Sequence, residues 1–181
     1  TAGAYLDSEG APRDGRRAVV VEPFTSATIV DSLKGLFVPQ EAIGEQYRKG
    51  LMGRDSAGVN WKLDQNVVSQ QFGSFSGTAV CNTSTATGFL TSGWASTSTI
   101  SLTATGTISL NAGDVFTIAG VYAVNPQNRQ PYGTNKLRNF VVKQAVTGTD
   151  GAVSVVVSPA VITAGQFQNV SIPTPASVSY T

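Results

Sequence analysis

The chain contains no histidine, one cysteine (Cys81), one methionine (Met52) and little charge of either sign. Each shortage excludes something. Without His there is no Ser-His-Asp or Cys-His catalysis, and the commonest zinc ligand is missing. A single Cys cannot close a disulfide within the chain, so a core has to hold the fold. No apolar run approaches the ~20 residues of a membrane-spanning helix, and no basic-then-apolar start marks a signal peptide. Charged residues make up 13% of the chain, about half the roughly 25% of ordinary soluble domains. The 12 basic and 11 acidic side chains nearly cancel, at +1, which gives no global attraction to nucleic acid or membranes. With 41% hydrophobic residues, the balance is that of a folded protein and the reverse of a disordered one. At 181 residues there is length for one large domain or two small ones. A chain near that size buries roughly 70% of its unfolded surface.

The charge that is present is unevenly placed. Residues 1–64 carry 17 of the 23 charged side chains, and residues 65–113 carry none. The remaining six are Asp114, Arg129, Lys136, Arg138, Lys143 and Asp150. Such a compositional break marks a domain boundary, here near residues 65–75. The first part reads as mixed α/β. Residues 16–23 hold a short apolar run closed by Pro23, the pattern of a buried strand. Thr25 stands at an N-cap position, with Ile29, Leu33, Leu36 and Phe37 on one helical face after it. Pro39 opens a second helix, with Ile43, Tyr47 and Leu51 sharing a face and Gly50 as its stop. Residues 59–64 alternate, which predicts a strand with Val59, Trp61 and Leu63 inward.

The second part reads as all-β. Ser and Thr supply 19 of the 42 residues in 69–110, and such side chains suit strands and turns and interrupt long helices. Strands are expected at 75–81, 99–105, 115–119, 121–124, 139–146 and 152–158. Asp150-Gly151 gives a hairpin turn between the last two. Six short strands at this spacing point to a small barrel or sandwich. Ile172-Pro-Thr-Pro-Ala176 reads as an extended linker.

No constellation carries chemistry. Glu41 with Glu45, and Asp7 with Glu9, are the nearest to paired carboxylates, and both read as solvated charge. Cys81 has no cation near it in sequence to stabilise a thiolate and reads as a small buried hydrophobe. Asn82-Thr83-Ser84 and Asn169-Val170-Ser171 match the glycosylation pattern, as chance allows in so Ser/Thr-rich a chain. Arg13, Arg16 and Arg17 form a basic spot offset by Asp7, Glu9 and Asp14. No phosphate-binding or dinucleotide fingerprint is present. The expectation is therefore no enzyme, no metal and no cofactor.

Contact surface is what remains. Residues 125–137 form a long polar segment between two strong strands. It is either a flexible tip or a protein contact made by Asn125, Gln127, Arg129, Tyr132 and Lys136. Residues 82–99, with Phe89 and Trp94, form a second candidate loop. An exposed Trp94 would mark a partner, but the expected position is inward, closing the barrel.

The run from Gly113 to Pro126 (Gly-Asp-Val-Phe-Thr-Ile-Ala-Gly-Val-Tyr-Ala-Val-Asn-Pro), with Phe140-Val-Val and Ser158-Pro-Ala, resembles the major coat proteins of short-tailed bacteriophages of the P-twenty-two type. The Ile29-Val-Asp-Ser-Leu-Lys-Gly-Leu-Phe37 stretch, Met52-Gly and Trp61-Lys-Leu-Asp-Gln-Asn66 are similar to the portion before that family's inserted domain. The resemblance implies an α+β, mainly β fold. Residues 1–68 would be a small α/β segment of a tailed-phage (HK-ninety-seven-like) apical domain. Residues 69–176 would be an inserted antiparallel β-barrel of about six strands, and 177–181 a C-terminal tail. It also implies a structural subunit, a piece of a longer one, that assembles with copies of itself in the virion capsid. Assembly would take place in the bacterial host cytoplasm, without specific nucleic acid or membrane. A scaffolding protein and a prophage origin are left open. In that family the long barrel loops contact neighbouring capsomers. A non-catalytic binding module, of a phage tail or for carbohydrate, is the alternative.

Overall fold

The computed structural model describes residues 2–33, 58–82, 88–133, 136–172 and 177–179. The chain divides into two compact units, Thr1–Ser69 and Gln70–Thr181.

In the first unit, helix α1 (Ala2–Ser8) is followed by strand β1 (Ala18–Val21), helix α2 (Pro23–Leu33) and strand β2 (Asn60–Leu63). β1 and β2 pair in parallel, from Ala18 opposite Asn60 to Val21 opposite Leu63. Strands running the same way need a crossover between them, and α2 lies in it. The β-branched run Val19-Val20-Val21 favours a strand, and Pro23 then starts the helix at the position proline tolerates best. The Ser26 N–H donates to the Glu22 carbonyl at 2.9 Å, so Glu22 takes the cap position. Thr25, expected there, sits inside the first turn because the fixed φ of Pro23 sets the start earlier. The two strands are also less covered than an apolar run implies. Val20 and Leu63 are exposed, Trp61 is half-buried and Val59 is buried. The helix expected after Pro39, with Ile43, Tyr47 and Leu51, lies outside the described residues, as do Leu36 and Phe37.

Seven strands make one antiparallel sheet in the second unit. They are β3 (Phe75–Asn82), β4 (Ser98–Leu110), β5 (Val115–Ala123), β6 (Leu137–Val142), β7 (Val146–Ser158), β8 (Val170–Ser171) and β9 (Ser177–Ser179). Their order is β8-β5-β6-β7-β4-β3-β9. The sheet curls into a half-barrel that brings β9 near β5. The fold is mainly β, as expected, but the sheet is open where a barrel was predicted. Ser177–Ser179, read as tail, pairs with β3 as its last strand. β8 and β9 have two and three residues, too few to show a period in sequence.

Alternation builds the core. Ile100, Leu102, Ala104, Ile108 and Leu110 of β4 point inward, with Ser, Thr and Gly between them. They meet Phe116, Ile118, Phe140, Val142, Val155 and Val157. The Phe116 and Phe140 rings lie 6.1 Å apart, tilted at 42°. Each such large apolar side chain contributes about 1.5–3 kcal/mol by leaving water.

Asp150-Gly151 does not make the predicted hairpin. Both residues lie inside β7. Asp150 has φ +42°, and the left-handed geometry that this residue pair favours serves a β-bulge. Pairing with β4 shifts register between Ala104↔Gly151 and Thr107↔Thr149. β7 advances three residues there, Gly151 to Gly148, while β4 advances four, Ala104 to Ile108. Val153 and Val146 therefore pack on one core despite their odd spacing. The Asp150 carboxylate accepts the Gly106 N–H at 2.7 Å, across the bulge.

The bulge also bends the strand. The Lys143 N–H donates to the Val156 carbonyl at 2.8 Å, and β7 starts at Val146. Three residues reach at most about 10 Å, whereas a straight strand from 146 to 156 would span about 33 Å. β7 must therefore fold back on itself, and the bulge is where its ladder breaks. Residues 143–145 lie outside both strands, so the predicted strand 139–146 is split there into the end of β6 and the start of β7. The predicted strands 115–119 and 121–124 are one strand, β5, whose register against β6 shifts between Thr117 and Tyr122. Gly120, at φ +79°, marks that kink.

The start of the second unit is tied to the turn between β4 and β5. Buried Asp114 accepts N–H groups from Gly73 at 3.0 Å and Asn111 at 2.7 Å on one oxygen. Gln70 Nε2 donates to the Ala112 carbonyl at 2.6 Å, and Asn111 Nδ2 donates to the Gln71 carbonyl at 3.0 Å. Asp114→Ala removes the acceptor of two N–H groups and should cost about 2–3 kcal/mol in urea unfolding. Gly106 has φ +85°, and a Cβ there would overlap the Ser76 carbonyl oxygen. Gly106→Ala should cost about 2 kcal/mol or more, while Thr105→Ala beside it should stay within about 0.5 kcal/mol.

Candidate contact surface

Residues 125–136 join β5 to β6. Asn125 Oδ1 accepts the Gln127 N–H at 2.9 Å, and Asn128 Oδ1 accepts the Gln130 N–H at 3.0 Å. These are two successive Asx turns. The Arg129 N–H donates to the Asn125 carbonyl at 2.8 Å, and the Asn125 N–H to the Gln130 carbonyl at 3.0 Å. Val124 bridges to Pro131. The segment is thus a turn built by its own side chains. Arg129 stands in it at φ +58°. Gln127 and Arg129 are exposed, and Asn125, Tyr132 and Lys136 are half-buried. Lys136 Nζ lies 5.6 Å from the centre of the Tyr132 ring, a cation–π pair. The five residues divide accordingly. Asn125 builds the turn, Gln127 and Arg129 are offered to solvent, and Tyr132 and Lys136 hold one another.

Phe89 and Trp94 are not brought together in one role. Phe89 packs against the core. Trp94, expected inward, is 69% exposed. The half-barrel is filled without it, because Phe116, Phe140 and the β4 and β7 aliphatics occupy the interior. The loop that carries Trp94 is nevertheless firmly held. The Leu90 N–H donates to the Val161 carbonyl at 2.9 Å, and the Thr163 N–H and hydroxyl donate to the Leu90 carbonyl at 2.8 and 3.0 Å. Ser98 Oγ accepts the Val161 N–H at 2.9 Å. Going backwards from Ser98 on β4 and from Leu137 on β6, and forwards past Ser158 on β7, the chain leaves the sheet in one direction. Both candidate loops therefore sit at the same end of the sheet. Phe167, 42% exposed at that end, is not distinguished by sequence, since one Phe among polar residues carries no local sign of which way it points.

The remaining candidates have structural duties. Cys81 is fully buried, and burial pushes its thiol up, away from the reactive thiolate. Asn169 Oδ1 accepts the Ile162 N–H at 3.0 Å and its Nδ2 donates to the Ala160 carbonyl at 2.7 Å. Thr83 and Ser84 of the other glycosylation pattern, and Glu41 and Glu45, lie outside the described residues. Asp7 pairs with Arg13 and, at 2.8 Å, with Arg17. Arg17 also donates to the Ala11 carbonyl at 2.6 Å and the Pro12 carbonyl at 3.0 Å. This clip ties α1 to the residue before β1, one carboxylate holding two guanidinium groups. Among the described residues, no group of three Asp, Glu, Cys or His could hold a metal, and no helix is long and apolar enough to cross a membrane.

Over residues 1–179 the chain matches the family model described as P22 coat protein, gene protein 5. It belongs to the P22 coat protein family. No curated protein matches the chain. A P22-type coat protein is a structural subunit of the phage capsid, and its partners in the shell are other copies of itself. The family is structural in its work.

The clip at Asp7 makes a pH prediction. The Arg13 hydrogen bond, and then that of Arg17, hold the Asp7 carboxyl well below the usual carboxylate range. A carboxyl depressed in the folded state contributes stability above its unfolded value of about 4, and that contribution is lost as pH falls further. Protection of the α1 amides from exchange, taken relative to their intrinsic rates, should therefore fall below about pH 4, and Asp7→Asn should abolish that dependence.

Proposed function

We propose that residues 1–68 are part of the apical domain of an HK-ninety-seven-like shell subunit, and residues 69–176 its inserted barrel. Family membership over nearly the whole chain supports this, as does the break in charge near residue 65. In this reading the loop at 125–136 makes the contact between one capsomer and the next. The observation that carries it is the built turn presenting Arg129 to solvent at a left-handed φ. A turn already fixed by its own hydrogen bonds loses little freedom when a neighbour docks. No Asp or Glu occurs in residues 115–149, so Arg129 and Lys136 favour an acidic surface on the neighbour. A scaffolding protein, assembly in the bacterial cytoplasm and origin in a phage or prophage genome complete the reading.

Removing residues 127–135 from the complete subunit should leave the barrel folded, with an unchanged circular dichroism spectrum, and should alter the yield or size of assembled particles. Arg129→Glu should act in the same direction. Normal particles of unchanged size from the shortened subunit would remove the loop from the assembly contacts.

A further inference from the structure

A second surface of different character lies at the same end of the sheet. Trp94 and Phe167 are exposed on loops that adjoin, since a Cβ at Gly165 would lie 3.7 Å from Ser92 Cα. Residues 83–99 and 159–172 contain no charged side chain at all. We propose that Trp94 and Phe167 form a self-complementary contact with the same patch on a second copy of the chain, related by a two-fold axis. This rests on the reading of the protein as a shell subunit, but not on any role for the Arg129 loop.

Three observations lead there. First, large exposed aromatics on adjoining loops mark protein contacts, and Trp is among the residues most enriched where binding energy concentrates. Second, the patch is already in place. Leu90 is bonded to Val161 and Thr163, Ser98 to Val161, and Asn169 to Ile162 and Ala160. A contact made on such a base forfeits little conformational freedom. Third, charge selects the occupant. A two-fold contact sets the whole patch against its own copy, so a patch with net charge faces like charge across the axis. The Arg129 loop, with cations and no carboxylate, is unsuited to self-contact and needs a different surface. The Trp94 patch, being neutral, is free of that penalty, and a coat subunit is surrounded by copies of itself. Aromatic side chains bury about 150–250 Å² each when fully covered. With Trp94 69% and Phe167 42% exposed, about half of that remains to be buried, so four rings across the axis give about 300–500 Å². That is the size of a weak contact, which gains force when it is repeated around a shell.

A cysteine at Ser92, where the two loops adjoin at the centre of the proposed contact, tests this, because a two-fold contact brings residues near its axis to their own counterparts, and Cys81 is buried. Ser92→Cys should form disulfide-linked dimers of the 181-residue chain at least about tenfold faster than Thr147→Cys, an exposed control on β7. Adding Trp94→Ala should bring the rate down to that of the control, while Trp94→Phe should retain most of it. Trp94 is exposed, so the Ala variant should melt with the parent. The two loops carry no charge of their own, so salt near about 0.5 M should not weaken the dimer. Equal rates for the two cysteines, or no effect of Trp94→Ala, would overturn the proposal. So would a dimer that weakens with salt, which would point to the charged loop instead. Failure here leaves the loop-deletion result untouched, so the two ideas fall separately.

Discussion

The second unit depends on a break in one ladder. β4 and β7 are the longest strands, 13 residues each, and they pair along their length. Left regular, they would make a ribbon too long for residues 143–145 to serve. One extra residue in β4, set against Asp150, lets β7 fold back and still keep Ile108, Leu110 and Val146 on the side of Ile100, Val155 and Val157. The hydrogen bond from the Gly106 N–H to the Asp150 carboxylate holds the place where the ladder is interrupted. Curvature, interior and loop positions all follow from it.

A curled sheet with a filled interior can carry rigid loops. The turn at Asn125 and the loop at Leu90 are each closed by hydrogen bonds to neighbouring backbone, on strands whose inner faces are fully buried. The same end thus offers two chemically distinct surfaces. One is cationic, around Arg129 and Lys136; the other is neutral and aromatic, around Trp94 and Phe167. A shell needs subunits to meet both like and unlike neighbours, and one module with two such surfaces has the means for both.

Much of this is legible in the amino-acid order, and the failures have physical causes. Alternation in β4 reveals its inner face, because a strand buried on one side repeats every two residues. The burial of Cys81 follows from its uncharged surroundings. Asp150-Gly151 misleads, since left-handed geometry is common to hairpin turns and bulges, and only the partner strand decides between them. Gly120 hides a kink inside β5 in the same way. Trp94 is misplaced because the direction a loop side chain takes depends on whether the interior is already full. Both candidate loops are found where polarity and length put them, but the division of labour among Asn125, Gln127, Arg129, Tyr132 and Lys136 is set by hydrogen bonds that local pattern does not encode. The family likeness reaches further than periodicity does, because it draws on the order of many weak matches.

The sheet ends in β8 and β9, strands of two and three residues. Proteins commonly guard an open edge with lysines or inward charges, and this unit has few to use. Brevity takes their place: a stray chain meets only a short stretch of ladder at β8 or β9 before the pairing runs out. For a subunit whose family works by meeting copies of itself, short edge strands limit strand-to-strand pairing outside the intended contacts.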